Sequence, residues 1–181
     1  NNLVTSGAEA VGVMITAMHP ENFKESRLAE LAEQIEEVCQ NLHIQVMGGH
    51  TEVTMAVNEP VFSVTAVGKI KEKELLHAKN AKADQDIVMS KWIGMEGSVA
   101  IVAAKEKELL ERFPKAMIDK IKQMLPNCCV SLEAALAVKS GVSAMHDVSS
   151  GGIYGALYEL SEAAGVGLEI DLRAIPIKQE T

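Results

Sequence analysis

The 181-residue sequence lacks the features that would suit it to nucleic acid or to a membrane. Its 17 basic residues are outnumbered by 25 acidic ones, for a net charge of −8, whereas a face that binds nucleic acid or anionic lipid needs clustered positive charge. No apolar run approaches the ~18 residues of a membrane span, and no secretory signal is recognisable. We therefore expect a cytoplasmic protein that binds neither nucleic acid nor membrane.

Cysteine is also scarce. The three cysteines, Cys39, Cys128 and Cys129, are odd in number and lack the spacing of metal ligands. This usage is typical of reduced thiols in an intracellular protein. The sequence is instead rich in hydrophobic residues, at 48%, which is enough to build one domain or two small ones.

The most informative segment is residues 146–152, HDVSSGG. The apolar run 141–145 before it predicts a buried strand, and Ile153, Leu157 and Leu160 after it recur at helical spacing. The segment is therefore predicted to be a turn from a strand into the start of a helix. The first N–H groups of a helix have no partner within it, and the helix dipole favours an anion there, most often phosphate.

The residues of this turn suggest two different roles. On the functional interpretation, the phosphate lies against Ser149, Ser150, Gly151 and Gly152, and the Asp147 carboxylate holds a Mg²⁺ that bridges phosphates. On the structural interpretation, a serine hydroxyl caps the helix and the glycines only form the turn. His146 is a candidate general base, although a histidine at the end of a strand is more often structural.

The first half of the chain predicts both strands and a long helix. We expect a short helix over 3–8, a strand over 11–16, a helix whose apolar stripe is Leu28, Leu31, Ile35, Val38 and Leu42, and a short strand over 44–47 that ends in a turn at Gly48-Gly49. Asn22 and Glu25 are a plausible capping pair for the long helix. Strands over 51–57 and 61–70 are expected to pair as an antiparallel hairpin.

The second half also mixes helices with strands. We expect helices over 96–113 and 115–125, a helix capped by Ser131 that ends at Gly141, and strands over 87–89 and 167–172. Residues 73–85 are rich in lysine and alanine and lack periodicity, so we place a linker there. The predicted fold class is α+β, in two incomplete domains.

Four segments in the same order resemble signatures of the aminoimidazole ribonucleotide (AIR) synthase superfamily, also called PurM-like. They are residues 1–8 (NNLVTSGA), 47–53 (MGGHTEV), 93–98 (IGMEGS) and 146–152 with the helix that follows. The resemblance implies a partial N-domain over 1–72, whose strands form a barrel shared by a homodimer, and a partial C-domain over 86–181 that is an α+β sandwich. Because members are about twice as long, we expect the sequence to be a fragment truncated at both ends.

The resemblance also implies an ATP and Mg²⁺ site. The N-domain turn contributes Gly48, Gly49 and Thr51, with Glu52 as an acidic residue near the metal. His50 stands where many relatives have Asp or Glu, and Asn2 stands where catalytic relatives have a metal-binding Asp. A neutral imidazole is a poor ligand for Mg²⁺, and Asn keeps an oxygen but loses the charge.

The resemblance implies three functions. The stretch from Asp147 to residues 175–177 (IPI) is most similar to the hydrogenase maturation factor HypE. HypE-like chemistry uses ATP to activate a substrate oxygen by phosphoryl transfer, with a small-molecule or protein substrate and a hydrogenase maturation partner. The second function is that of a purine-biosynthesis relative, such as AIR or formylglycinamidine ribonucleotide synthase. The third is a non-catalytic nucleotide-binding regulatory or assembly protein, which the residues at Asn2 and His50 favour.

Overall fold

The computed structural model describes residues 1–181 and separates into two compact units. One unit is residues 8–74, and the other joins residues 1–7 to residues 75–181. In chain order the elements are α1 (Asn2–Thr5), β1 (Glu9–His19), α2 (Glu25–Asn41), β2 (Gln45–Val53), β3 (Val61–Lys69), α3 (Met95–Leu110), α4 (Lys115–Lys122), α5 (Ser131–Ser140) and α6 (Gly152–Ala164). The α+β class is confirmed. No helix combines the length and the apolar character that a membrane crossing requires.

The unit of residues 8–74 is built on a three-stranded sheet in the order β2-β1-β3. β1 pairs with β2 in parallel and with β3 in antiparallel orientation. The predicted 51–70 hairpin is therefore wrong, because β2 and β3 lie on opposite sides of β1. The crossover through α2 places β2 beside β1, and residues 54–60 then carry the chain past the end of β1, where Thr54 N–H donates to the His19 carbonyl at 2.8 Å.

The predicted turn at Gly48-Gly49 is also wrong, because both glycines lie inside β2. Val13 pairs with Val46 but Met14 pairs with Gly48, so Met47 is an extra residue that makes a β-bulge. Immediately after the bulge, β2 runs very close to β1: a Cβ on Gly49 would lie 1.8 Å from the Ile15 carbonyl oxygen. The glycine therefore has a structural role in strand pairing.

Helix α2 confirms the predicted long helix but not its expected start. Its N-cap is Lys24 without a side-chain cap bond, so the Asn22–Glu25 capping pair does not form. The inward side chains also differ towards its end: Leu28, Leu31 and Ile35 are half-buried, and Cys39 is buried where the stripe predicted Val38. Cys39 continues the helical spacing from Ile35 at i+4, so it turns to the same face.

The second unit is centred on α3 and α4. Val102, Ile118 and Ile121 form its buried core, with Val99, Leu109 and Met117 packed around it. The predicted inward positions Ile118 and Ile121 are confirmed, whereas Leu125 lies beyond α4 and is 59% exposed. Helix α5 ends as predicted at Gly141, a left-handed residue with φ 77° that a glycine adopts without steric cost. Ser131 is the first residue of α5, and its hydroxyl does not cap the helix.

The strands predicted over 87–89, 141–145 and 167–172 do not form in this unit. Apolar runs of this length are consistent with strands, but a strand also needs a neighbour that completes its backbone hydrogen bonds. The only ladders in the structure join β1 to β2 and β3. These three strand predictions are wrong because the segments have no neighbouring strand to pair with, and a local sequence pattern does not specify the neighbour.

Candidate functional site

The segment from Asp147 to Gly152 is a glycine loop that leads directly into α6. Gly151 and Gly152 both have left-handed backbones, with φ of 84° and 62°, a conformation that favours glycine. Gly151 is the N-cap of α6, and no side chain caps the helix. The predicted helix start is therefore confirmed, while a serine hydroxyl cap is absent.

The loop leaves several backbone N–H groups free at the start of α6. Gly152 N–H donates to the Ser149 carbonyl at 3.0 Å, whereas Gly151, Ile153 and Tyr154 N–H donate to no group in the chain. A Cβ on Gly152 would meet no atom within 4 Å, so the space around this residue of the turn is open. Free N–H groups at a helix start, with open space in front of them, are suited to an anion.

Asp147 lies half-buried at the beginning of the loop. Its carboxylate takes part in none of the hydrogen bonds or ion pairs of the chain; only its carbonyl oxygen is engaged, by His146. The carboxylate is thus not used as a turn cap. An unpaired carboxylate near free N–H groups of a helix start is chemically suited to Mg²⁺ bound together with phosphate oxygens.

The imidazole of His146 is engaged at both nitrogens. Nδ1 donates to the Asp147 carbonyl oxygen at 2.7 Å, and Nε2 lies 3.0 Å from Glu159 Oε2 on α6. Both partners are oxygen atoms that accept hydrogen bonds, so each ring nitrogen has a partner within the chain. With both nitrogens occupied, the geometry favours a structural role for His146 over that of a general base.

The predicted residues on β2 divide between the two faces of the sheet. His50 Nε2 lies 3.5 Å from Glu52 Oε2, and the two exposed side chains share one face. Thr51 falls between them and therefore points to the opposite face. The structure thus brings His50 and Glu52 together and separates Thr51 from both. No group of three or more His, Cys, Asp or Glu side chains is arranged to hold a metal ion by itself.

Asn2 is the first residue of α1, and its exposed side chain makes no hydrogen bond. The preceding residue, which sequence reasoning missed, is the one that holds this segment in place. The Asn1 amide donates to the Cys128 carbonyl at 2.7 Å and accepts from Val130 N–H at 3.1 Å. An asparagine amide can donate and accept at once, so it satisfies one backbone carbonyl and one backbone N–H here. The sequence does not indicate this role, because the contact joins residues that are distant in the chain.

A second contact that the sequence did not indicate lies at Lys91. Its ammonium group donates to the Cys129 carbonyl and lies 3.1 Å from Glu133 Oε1 on α5. The Lys91 side chain is only 16% exposed. Its positive charge is balanced within the unit by the Glu133 carboxylate and the Cys129 carbonyl. Lys91 and Asn1 thus both bond to backbone groups of the segment 128–130.

Cys128 lies in this cluster, and its surroundings disfavour the thiolate. Burial raises the pKa of the Cys128 thiol, the Glu96 carboxylate raises it further, and Lys91 partly opposes them. Since the thiolate is the reactive form, we expect slow alkylation by iodoacetamide at pH 8 in a Cys129→Ser background. Glu96→Gln should increase the rate about twofold, read by peptide mass spectrometry; an unchanged rate would contradict the assigned electrostatics.

Two models of one protein family together match most of the chain. The family model described as AIR synthase related protein, N-terminal domain, matches residues 1–70, and the model described as AIR synthase related protein, C-terminal domain, matches residues 82–181. The four segments recognised in the sequence all fall within these two matches.

Among curated proteins, the chain is similar to a putative hydrogenase expression/formation protein from Methanocaldococcus jannaschii, with 25% identity over 99% of this chain and 51% of that protein. It is also similar to selenide, water dikinase from Shewanella sp. strain ANA-3, with 28% identity over 82% of this chain and 41% of that protein. The chain thus spans about half the length of these relatives.

Solved structures share the fold. The Escherichia coli hydrogenase maturation protein HypE superposes with a TM-score of 0.80 and 19% identity, covering 98% of this chain and 53% of that one. A structure of HypE in complex with ATP superposes with a TM-score of 0.74 and 14% identity, covering 98% of this chain and 51% of that one. These likenesses establish a PurM-like architecture.

Proposed function

Because the chain belongs to the AIR synthase related family, we propose that it binds ATP and that its Asp147–Gly152 loop holds the phosphates. The observation that carries the proposal is the set of free N–H groups of Gly151, Ile153 and Tyr154 beside open space. These donors supply positive potential without a side-chain charge. The ATP complex of HypE, a protein of the same fold, supports a nucleotide as the ligand.

Mg²⁺ fits the donors that the chain offers. Asp147 is its ligand in this proposal, and the side-chain oxygen of Asn2, in the same unit, is a further candidate. Glu52 lies in the other unit and stays a candidate on the family resemblance alone. Mg²⁺ in phosphate sites is usually held by one or two carboxylates and by the phosphates themselves, so such a site does not require three protein ligands. When bound, the ion would neutralise phosphate charge during transfer.

The reaction we propose is ATP-dependent activation of a substrate oxygen by phosphoryl transfer, in a HypE-like role in hydrogenase maturation. The relative from M. jannaschii, whose name places it in hydrogenase expression and formation, supports this branch. In this chain the loop amides would orient the terminal phosphate, and Asp147 would hold its counterion. A small molecule or a partner protein would supply the accepting oxygen.

A homodimer is part of the same proposal. β2 and β3 are the two edges of the sheet, and β3 exposes Val61, Phe62 and Val64 at 42%, 40% and 59%. Exposed apolar side chains on an open sheet edge favour association with another copy. The shared barrel that the family resemblance implies would bury these side chains.

A nucleotide-binding regulatory or assembly role is the second candidate. It is favoured by His50, which lies within 3.5 Å of Glu52 and competes for one of the carboxylates available to a metal. Asn2, in the other unit, offers no negative charge where the family resemblance implies a metal-binding Asp. Binding of ATP would then persist through the backbone amides of the loop, while transfer of phosphate would be lost.

Isothermal titration with ATP and Mg²⁺, followed by a phosphate-release assay with candidate substrates, tests the proposal. Binding with substrate-dependent release would support the enzyme. Binding without release from any substrate would favour the regulatory role. An absence of binding under both metal-loaded and metal-free conditions would overturn ATP as the ligand.

The metal assignment gives a separate prediction for Asp147→Asn. Loss of the carboxylate should weaken binding of Mg-ATP about tenfold but leave metal-free ATP nearly unchanged, because the backbone donors remain. The ratio of the affinities measured in Mg²⁺ and in EDTA isolates the effect. If Asp147 only shaped the turn, Asn would replace it without changing that ratio, and a ratio equal to wild type would refute the assignment.

A further inference from the structure

The glycine loop is fastened to one face of α6 at two points. The first point is Gly155 and the second is Glu159, four residues later, so both lie on the same side of the helix. The residues that meet them are at the two ends of the loop: Ser150 and Gly151 near its end, and His146 immediately before its start.

At the first point, backbone packs directly against backbone. A Cβ on Gly151 would lie 3.3 Å from the Gly155 Cα, and a Cβ on Gly155 would lie 3.2 Å from the Ser150 carbonyl oxygen. Both distances are tighter than ordinary van der Waals contact. The end of the loop therefore rests on the first turn of α6 with no side chain between them.

At the second point, a side-chain pair spans from the start of the loop to the middle of the helix. The His146 ring joins the Asp147 carbonyl oxygen to the Glu159 carboxylate, at 2.7 and 3.0 Å. The His146 side chain is 24% exposed and that of Glu159 is 59% exposed. The pair is thus partly screened by water, and its effect on binding is expected to be moderate.

We infer that Glu159 acts through His146 as a positioning pair that sets the conformation of the Asp147–Gly152 loop for the phosphates of a nucleotide. The inference rests on the proposed function, since it assumes that this loop is the phosphate site. With both ends of the loop held against α6, its free N–H groups are already arranged before a ligand arrives. A pre-organised loop avoids the entropic cost of ordering on binding.

In this inference neither side chain of the pair touches a phosphate, so its loss should affect ATP binding only through the shape of the loop. His146→Ala and Glu159→Ala should each weaken ATP binding about tenfold, equal to about 1.4 kcal/mol, and the double variant should lose little more than either single one. Adenosine, which has no phosphate, should bind each variant as it binds wild type. Glu159→Gln keeps an oxygen acceptor and should restore most of the affinity.

The experiment is isothermal titration of the full chain with ATP and with adenosine, with circular dichroism to verify folding. Glu162→Ala is the matched control, since Glu162 is an exposed carboxylate on the same helix whose side chain makes no bond. Equal ATP affinity in wild type and variants, or a parallel loss of ATP and adenosine, would overturn the positioning role while leaving ATP binding established. A wild-type protein that binds no ATP would instead overturn the proposed function, and the inference with it.

Discussion

Gly49→Ala is expected to destabilise the sheet unit severely, by about 3–5 kcal/mol in the free energy of unfolding. The added Cβ would lie 1.8 Å from the Ile15 carbonyl oxygen and 2.7 Å from the Ile15 carbonyl carbon. Both are backbone atoms of the central strand, so no side-chain rotation relieves the clash. β2 would have to move away from β1 and give up ladder hydrogen bonds after the bulge.

The neighbouring glycine supplies a matched control. Gly48 has nearly the same backbone, with φ of 158° against 154° for Gly49, but a Cβ there would meet no atom within 4 Å. Gly48→Ala should therefore lower the free energy of unfolding only by the cost of the strained backbone, about 1–3 kcal/mol, because it creates no clash. Thermal unfolding followed by circular dichroism compares the two variants. Equal losses of stability would show that strand contact does not explain Gly49.

This pair of glycines also shows where sequence reasoning reaches its limit. The pattern singles out residues 48–49 correctly, but glycine is compatible both with a turn and with the close approach of two strands. The choice between them depends on which strand lies alongside, and that strand is more than thirty residues away in sequence. The same limit explains the wrong hairpin, because the sheet order depends on long-range pairing.

Features fixed by local chemistry are predicted well. The end of α5 at Gly141 and the start of α6 at Gly151-Gly152 depend on left-handed residues at the ends of helices, and both signals lie within a few positions. Contacts that join distant segments are not predicted. Asn1 with residues 128–130, and Lys91 with Glu133, leave no periodic trace in the sequence.

For the candidate site, the sequence predicts the loop and the Asp147 carboxylate as ligands, which stays a prediction, and it does not predict the arrangement around them. His146 is chemically notable by residue type, yet its role depends on Glu159, a helix residue with no distinguishing pattern. Residue type thus predicts what chemistry is available. The packing of the loop on α6 decides which of these groups have no partner within the chain and can therefore bind a ligand.

Gly152→Val is expected to abolish measurable nucleotide binding, with a loss of ATP affinity of at least about 100-fold, or about 2.7 kcal/mol. The branched side chain would occupy the open space beside Gly152, at the turn whose free Gly151, Ile153 and Tyr154 N–H groups are proposed to hold the phosphate. It would also carry a folding cost, because φ at Gly152 is 62° and a left-handed backbone costs a residue with a Cβ about 1–2 kcal/mol.

The opposite end of the same helix separates these two effects. Gly165 is the C-cap of α6, with φ of 66°, and a Cβ there would meet no atom within 4 Å, so Gly165→Val carries a similar backbone cost far along the helix from the loop. We expect both variants to lose similar amounts of stability by thermal unfolding, but only Gly152→Val to lose ATP affinity by isothermal titration. If Gly165→Val lost as much affinity as Gly152→Val, the effect would belong to the helix as a whole, and if neither lost any, the glycines of the loop would serve the turn alone.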